Sequence, residues 1–307
     1  MNTEAIRDSV LEAQARPSAD LSPARSFYWA VRRELWENRL IYLAPIGVGA
    51  LALAGLAFGT IHLPQQMRAA MALGPMKQHH MTGAYDIVSG LMMATMMIVA
   101  TFYCLDALYG ERRDRSVLFW KSLPVSNTTT VLAKASIPFV VLPLIAFAIG
   151  VVMQLVILLL SSAVLAGSGL SVAPLWAQVA LPRMLVLLLY HLVMVHALWH
   201  APFYAWFLLV GAWARRSPFV WAFLPPVLLG FLEKIIFNTT HFLDLVRYRL
   251  NGNSMDVVLM HGTFPTNPMT QMTPIRYLSS PGLWTGLIFT AALLAAAVWL
   301  RRTRGSN

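Results

Sequence analysis

Long apolar runs separated by short polar segments dominate the chain. A helix needs about 20 mainly apolar residues to cross the hydrocarbon core of a bilayer. The runs predict six membrane spans, at about 40–61, 87–108, 137–160, 184–214, 218–232 and 283–300. The fifth run is the shortest and contains Pro225 and Pro226, so the pattern leaves open whether it crosses fully or re-enters. We therefore expect an all-α polytopic membrane protein whose six-helix transmembrane bundle occupies residues 40–307.

The composition agrees with this pattern and excludes other classes of protein. Of the 307 residues, 58% are hydrophobic and 12% are charged, and the net charge is +10. Soluble domains carry about 45–50% apolar and about 25% charged residues. The basic charge therefore does not indicate a soluble nucleic-acid-binding protein, and we expect no nucleic acid partner. The single cysteine, Cys104, excludes an intramolecular disulfide and a cysteine-based zinc cluster.

The positions of the positive charges predict the orientation. If the chain crosses six times, most of its 23 lysines and arginines fall on the side of both termini. Loops on the cytoplasmic side carry an excess of Lys and Arg. The first 25 residues contain no apolar stretch of the kind found in a cleavable signal peptide. We expect a multi-pass protein of the cytoplasmic (inner) membrane of a bacterium, with both termini in the cytoplasm.

A helix is predicted before the first span. Residues 1–21 are of mixed charge and are expected to be flexible, and Ser22 followed by Pro23 is typical of an N-cap and a first helical position. Residues 22–39 then combine an apolar stripe with tryptophans and charges, as in a helix that lies in the membrane interface. A solvated N-terminal extension is the alternative. The residues expected to mark the interfacial helix are Phe27, Trp29, Arg32, Arg33 and Trp36.

Two connections between spans also carry a helical pattern. The connection at 109–130 places a cluster of charges before Val117, Leu118, Phe119 and Trp120, and it ends on a polar cap that begins at Ser126. We interpret it as a short amphipathic helix under the bilayer; the alternative is an ordinary positively charged flank with aromatic side chains in the headgroups. Between the fifth and sixth spans, the spacing of apolar residues predicts a helix over 241–250, one of one or two small outer helices.

Three histidines lie close together in the fourth span. His196 and His200 are four residues apart, which is the spacing of helical zinc sites, while an α-helix would direct His191 about 140° away from His196. The sequence HALWH lacks the glutamate of an HExxH motif, and the span contains no carboxylate. We expect the three histidines to line a polar seam or a subunit interface. An intramembrane metal-dependent enzyme built on them remains the alternative.

The chain contains no phosphate-binding loop for a nucleotide. Such a loop requires Gly followed by Lys, and no Gly-Lys pair occurs. We therefore expect no catalytic residues, cofactor or metal in this chain, and any ATP hydrolysis must take place on another polypeptide.

The segment GERRDRSVLFWKSLPVSNTTTVLAK, residues 110–134, resembles the permease subunits of ABC transporters of the second exporter type. Members of that family place an acidic–basic cluster, a leucine-bearing stretch and a proline with a small or hydroxyl residue before the third span. Many members have Gly-Thr after the acidic residue, where this chain has Arg115 and Ser116.

The resemblance implies a partner and a mechanism. Such permeases pair, with a second copy or a paralogue, and bind two cytoplasmic ATPase subunits that hold ATP and Mg²⁺. The chain would then export a hydrophobic or amphipathic substrate such as a lipid, peptide or drug; a membrane scaffold or sensor without cargo is a further alternative. The residues that the resemblance assigns to contact with the ATPase are Glu111, Arg112, Arg113, Asp114, Arg115, Phe119, Trp120 and Lys121.

Overall fold

The structure, a computed structural model, describes residues 22–73, 83–114, 126–251 and 274–304. All regular secondary structure in those ranges is helical, and six helices are long and apolar enough to cross a membrane. This confirms the expected all-α class and the six spans. The flexible segment predicted for residues 1–21 and most of the amphipathic connection, residues 115–125, lie outside the described residues.

The first span is at its predicted position, and the second and third are longer at both ends than predicted. Helix α1 (Pro23–Glu37) precedes the first span, α2 (Leu40–Thr60), and a short helix, α3 (Leu63–Leu73), follows it. The second span is α4 (Gly83–Arg113). The third consists of α5 (Asn127–Ser136), a π-helical turn (Ile137–Val141) and α6 (Leu142–Gly167). Pro138 lies in that turn, where the wider hydrogen-bonding pattern accommodates its missing N–H.

The region of the fourth span differs from the prediction of one run over 184–214. It consists of α7 (Ala173–Val179), α8 (Leu181–Tyr190), a π-helical segment (His191–Trp199) and α9 (Ala201–Trp213). The apolar helical stretch therefore begins at Ala173, earlier than the predicted 184, and a break at His200 separates it from α9. The physical reason is Pro202, which cannot donate a backbone hydrogen bond and stands in the first turn of α9.

The fifth span is longer than the predicted 218–232. Helix α10 (Pro218–Phe237) has 20 residues, and Pro225 and Pro226 lie inside it. At about 1.5 Å of rise per residue it is about 30 Å long, which is enough to cross the hydrocarbon core. The expected small helices follow as α11 (His241–Asn251) and α12 (Pro274–Leu278), and α13 (Pro281–Arg304) is the sixth span.

Helix α9 lies at the centre of one half of the bundle, packed against α4 and α13. A glycine makes the close approach to α4 possible, because a Cβ at Gly211 would lie 2.9 Å from the backbone oxygen of Leu105. Arg112, at the end of α4, contacts the last turn of α9, so these two helices end at the same end of the bundle. We call this the basal end.

Helix α1 packs against the bundle at the basal end. Its start follows the predicted pattern, since Ser22 is the N-cap and its Oγ accepts a hydrogen bond from the backbone N–H of Arg25 at 3.4 Å. Val31 and Leu35 pack against the main hydrophobic core, as their helical spacing predicts. Trp36, on another face, is 67% exposed. The helix therefore has one face on the protein and an aromatic face left open.

Candidate functional site

Five charged side chains from four helices meet at the basal end. We call them the basal ion cluster: Arg33, Glu34, Glu111, Lys134 and Arg301. Arg33 and Glu34 come from α1, Glu111 from the last turn of α4, Lys134 from α5 and Arg301 from the end of α13. The cluster therefore joins α1 to the ends of the second, third and sixth spans.

Glu34 and Glu111 share the cations of the cluster between them. Lys134 Nζ lies 2.8 Å from Glu34 Oε1 and 3.2 Å from Glu111 Oε1. Arg33 Nη2 lies 3.0 Å from Glu34 Oε1 and 2.8 Å from Glu111 Oε1. Arg301 Nη1 donates to the other oxygen of Glu111, Oε2. Each carboxylate is thus bound by more than one cation, which is what makes a buried ionised group tolerable.

The cluster is largely shielded from solvent. The side chains of Glu34 and Lys134 are 1% and 2% exposed, and those of Glu111 and Arg301 are 6% and 7% exposed. Arg33 is the most accessible member and also lies 3.5 Å from Glu37 on the next turn of α1. Because the effective dielectric constant is low in such a place, removing one member leaves an uncompensated charge and is strongly unfavourable.

Neutral groups add hydrogen bonds to the cluster. The hydroxyl of Tyr103 donates to Glu34 Oε2 at 2.8 Å, and Arg301 Nε donates to the side-chain oxygen of Asn127 at 3.2 Å. Asn127 is the first residue of α5, whose N-cap is Ser126; Ser126 Oγ accepts from the backbone N–H of Thr129 at 3.0 Å. The predicted polar cap before the third span is confirmed, and it fixes the point at which α5 enters the cluster.

Arg112 makes a second connection at the basal end. Its Nη2 donates to the backbone oxygens of Gly211 at 2.7 Å and Ala214 at 2.6 Å. Carbonyls in the last turn of a helix lack intrahelical partners, and a guanidinium is a suitable donor to them. The end of the second span is therefore tied to the end of α9 as well as to the basal ion cluster.

The residues that the family resemblance assigned to ATPase contact fall into three groups. Glu111 is buried in the ion cluster and Arg112 holds α9, so neither side chain is free on the surface as the prediction assumed; burial among opposite charges is the physical reason. Arg113 and Asp114 are exposed and pair with each other at 2.9 Å, and this hydrogen bond lowers the pKa of Asp114. The remaining four, Arg115, Phe119, Trp120 and Lys121, lie outside the described residues.

Three of the predicted interfacial residues form an aromatic–cation face, in which Trp29 and Trp36 are exposed. Arg32 lies between two indoles, with its Cζ 5.0 Å from the ring centroids of both Trp29 and Trp36. Tryptophan and arginine together are typical of membrane–water interfaces. Phe27 is half-buried, and Arg33 points into the ion cluster rather than joining the exposed face.

The three histidines of the fourth span lie in or next to the π-helical segment. Because residues five apart are about one turn apart in a π-helix, His191 and His196 are closer in direction than the α-helical spacing predicts. His191 Nδ1 is 2.9 Å from the backbone oxygen of Leu187, and the ring centroids of His196 and His200 are 5.4 Å apart. Within the described residues, no group of three or more His, Cys, Asp or Glu side chains is arranged to hold a metal ion.

Sequence reasoning missed four features of the basal end: the pairing of Glu34, the pairing of Lys134, the pairing of Arg301 and the role of Arg112 on α9. Only one signal pointed to them, the rarity of carboxylates next to apolar helical runs. Spacing along the chain does not reveal which helix ends meet.

Comparison with known proteins adds nothing to this picture, since no protein family, no curated protein and no solved structure matches the chain.

Proposed function

We propose that the chain is the membrane-spanning permease subunit of an ATP-driven exporter of the ABC class. In this proposal it exports a hydrophobic or amphipathic substrate, and a separate cytoplasmic subunit binds ATP and Mg²⁺ and hydrolyses the nucleotide. The chain works with a second copy or a paralogue in the cytoplasmic membrane of a bacterium. The basal end, with both termini, faces the cytoplasm.

The observation that carries the proposal is the basal ion cluster. A permease that does not itself hydrolyse ATP needs a rigid connection from the surface that binds the ATPase to the spans that must move. Helix α1 is bound through Arg33 and Glu34 to the ends of the second and third spans. Glu111 binds Arg301 of the sixth span, and Arg112 extends the connection to α9. A displacement of α1, or of the segment after Asp114, would therefore be transmitted to most of the bundle through buried, charge-assisted contacts.

The exposed part of the basal end suits a docking surface. Arg113 and Asp114 lie at the surface immediately before the segment that the family resemblance singled out. A charged pair at a rim contributes to partner choice and to association rate more than to affinity. We therefore propose that these two residues and the segment 115–121 contact the ATPase, while Glu111 and Arg112 act inside the permease.

The test is whether the chain retains an ATPase through this surface. The full-length chain carries an affinity tag, is purified in mild detergent from its native membrane, and is assayed for vanadate-sensitive ATP hydrolysis. We expect hydrolysis with the unaltered chain and its loss with Arg113→Glu. The matched control is Arg68→Glu, which makes the same charge change at an exposed arginine beside Ser168, away from the basal end, and should retain the activity.

Two results would count against the proposal. No nucleotide hydrolysis with the unaltered chain would remove the case for a permease subunit. Normal hydrolysis with Arg113→Glu, at an equal yield of permease, would move the docking surface away from Arg113. Arg112 is unsuitable for this experiment because its substitution also releases the end of α9.

A further inference from the structure

A second charged side chain inside the protein is arranged very differently from the basal ion cluster. Arg249, in the last turn of α11, is 9% exposed. Among the residues that the structure describes, no carboxylate lies within salt-bridge distance of it, and its Nη1 has no hydrogen-bond partner. A buried guanidinium without a counter-charge is unfavourable unless an anion is supplied from elsewhere.

The position of Arg249 is fixed by its surroundings. Its Cζ lies 4.7 Å from the ring centroid of Trp199, and its Nη2 donates to the backbone oxygen of Gly282 at the start of α13. The side chain lies along a glycine face of that helix, because a Cβ at Gly286 would come 2.3 Å from Nη2. Nη2 of the guanidinium is thus bound, whereas Nη1 can still donate hydrogen bonds.

The residues around Arg249 also have unpaired polar atoms. His196 Nδ1, Trp199 Nε1 and His200 Nδ1 are buried and have no hydrogen-bond partner. They are contiguous with Arg249: the ring of His200 is 5.4 Å from that of His196, and its Nε2 lies 3.4 Å from the backbone oxygen of Leu250. Buried polar atoms are rarely left unsatisfied, and several in one place call for a ligand.

The chain places Arg249 there through a capped helical hairpin. Glu233, near the end of α10, accepts hydrogen bonds from the backbone N–H groups of His241 at 2.8 Å and Phe242 at 2.9 Å, which are the first residues of α11. Helix α11 then runs back beside α10, where Leu243 fills the space at Gly230. Its last turn therefore meets the π-helical segment, a kind of irregularity that is frequent at functional sites.

We propose that Arg249, together with His196, Trp199 and His200, binds the acidic group, a phosphate or a carboxylate, of an amphipathic molecule. The set offers a cation without a counter-charge, the indole N–H of Trp199 and imidazole nitrogens that can carry a proton, so it suits an anion. It is enclosed by apolar membrane-spanning helices, so it fits an anion that carries an apolar tail. The inference does not depend on the proposed transport function, because binding by the purified chain needs no ATPase.

The experiment measures binding to the purified full-length chain in neutral detergent. The probes are phosphatidylglycerol, phosphatidylcholine as the lipid without net charge, and inorganic phosphate, and the readouts are native mass spectrometry and the thermal unfolding midpoint. We expect phosphatidylglycerol to bind and to raise the midpoint, and Arg249→Gln to weaken it about tenfold or more. The matched control, Arg247→Gln, removes an exposed arginine of the same helix and should bind normally.

The outcomes separate the sources of the anion and decide the proposal. If phosphatidylglycerol alone raises the unfolding midpoint, the ligand is lipid-like. If inorganic phosphate raises the midpoint equally, the site binds the free anion. Either result supports the site if the rise depends on Arg249. Because Arg249→Gln could disturb folding, Gly286→Ala is a second variant: it keeps every charge and displaces the guanidinium, with Gly47→Ala in open space as its control. Unchanged affinity in these variants would overturn the proposal.

Discussion

The basal ion cluster and the Arg249 site are both buried and polar, but only the first is internally paired. In the cluster, each carboxylate is bound by several cations, and Tyr103 and Asn127 supply further hydrogen bonds. At the Arg249 site, the partners of the cation among the described residues are a backbone oxygen and an indole ring. The difference indicates that the paired cluster holds helices together, whereas in our proposal the Arg249 site is completed by a bound anion.

The largest effect is expected at the centre of the paired cluster. Glu111→Gln should destabilise the folded protein by about 3–5 kcal/mol, because three cations would then share the one remaining buried carboxylate of the cluster. The measurement is the free energy of unfolding in mixed micelles with increasing dodecyl sulfate. Asp114→Asn, which removes an exposed carboxylate three residues later, is the control and should leave the stability unchanged. Equal stability of Glu111→Gln and the unaltered chain would mean that the cluster does not hold the helices.

The connection to α9 gives the next effect. Arg112→Ala should cost about 1.5–3 kcal/mol, since it removes charge-assisted hydrogen bonds to two backbone oxygens at a helix end. Arg113→Ala changes the neighbouring, exposed arginine and should leave the stability as it is. Hydrogen exchange localises the change: in Arg112→Ala the amides in the last turn of α9 should exchange faster. If the amides in the last turn of α9 exchanged at the same rate in Arg112→Ala as in Arg113→Ala, the contact between Arg112 and α9 would be contradicted.

A double-mutant cycle measures the interaction between Glu34 and Lys134 directly. Glu34→Leu and Lys134→Met should each destabilise the protein, but together by less than the sum, with a coupling of about 0.5–3 kcal/mol. The reason is that each single substitution already removes the attraction between Glu34 and Lys134, so the double substitution loses that attraction only once. The same unfolding measurement applies. Additive effects would show that Glu34 and Lys134 do not interact, whatever the distance of 2.8 Å between their charged atoms.

The smallest effect is expected at the unpaired site. In lipid-free detergent, Arg249→Met should change the stability by less than about 1 kcal/mol, because the lost hydrogen bond and cation–π contact are offset by removing an uncompensated buried charge. Addition of phosphatidylglycerol should then stabilise the unaltered chain and not the variant. A loss as large as that of Glu111→Gln would place Arg249 among the structural residues and would remove the contrast between the two regions.

The sequence predicts the helical framework well because hydropathy and capping are local. The N-caps at Ser22 and Ser126 and the helix beginning at His241 follow from residues within one turn of each other. The end of α10 was underestimated for the same reason: Glu233 and Lys234 stop the apolar run, but Glu233 turns to cap the next helix and α10 continues to Phe237.

The polar sites could not be predicted because they depend on which helix ends meet. Glu34, Glu111 and Arg301 are far apart along the chain, and no spacing rule brings them together. The π-helical segments are equally hidden, since an α-helical projection separates His191 from His196 and only the backbone irregularity brings them closer in direction. Arg249 falls within the helix predicted over 241–250, but its lack of a carboxylate partner among the described residues is a property of the packed structure.

In the proposed transporter, movement of the ATPase reaches the bundle through α1 and the basal ion cluster. Hydrogen exchange on the tagged chain, purified with its ATPase and compared with and without ATP and vanadate, is the test. We expect trapping of the nucleotide to change exchange in Pro23–Glu37 and, together with it, at the ends of α4, α5 and α13. Unchanged exchange in all four places, in a preparation that hydrolyses ATP, would contradict it.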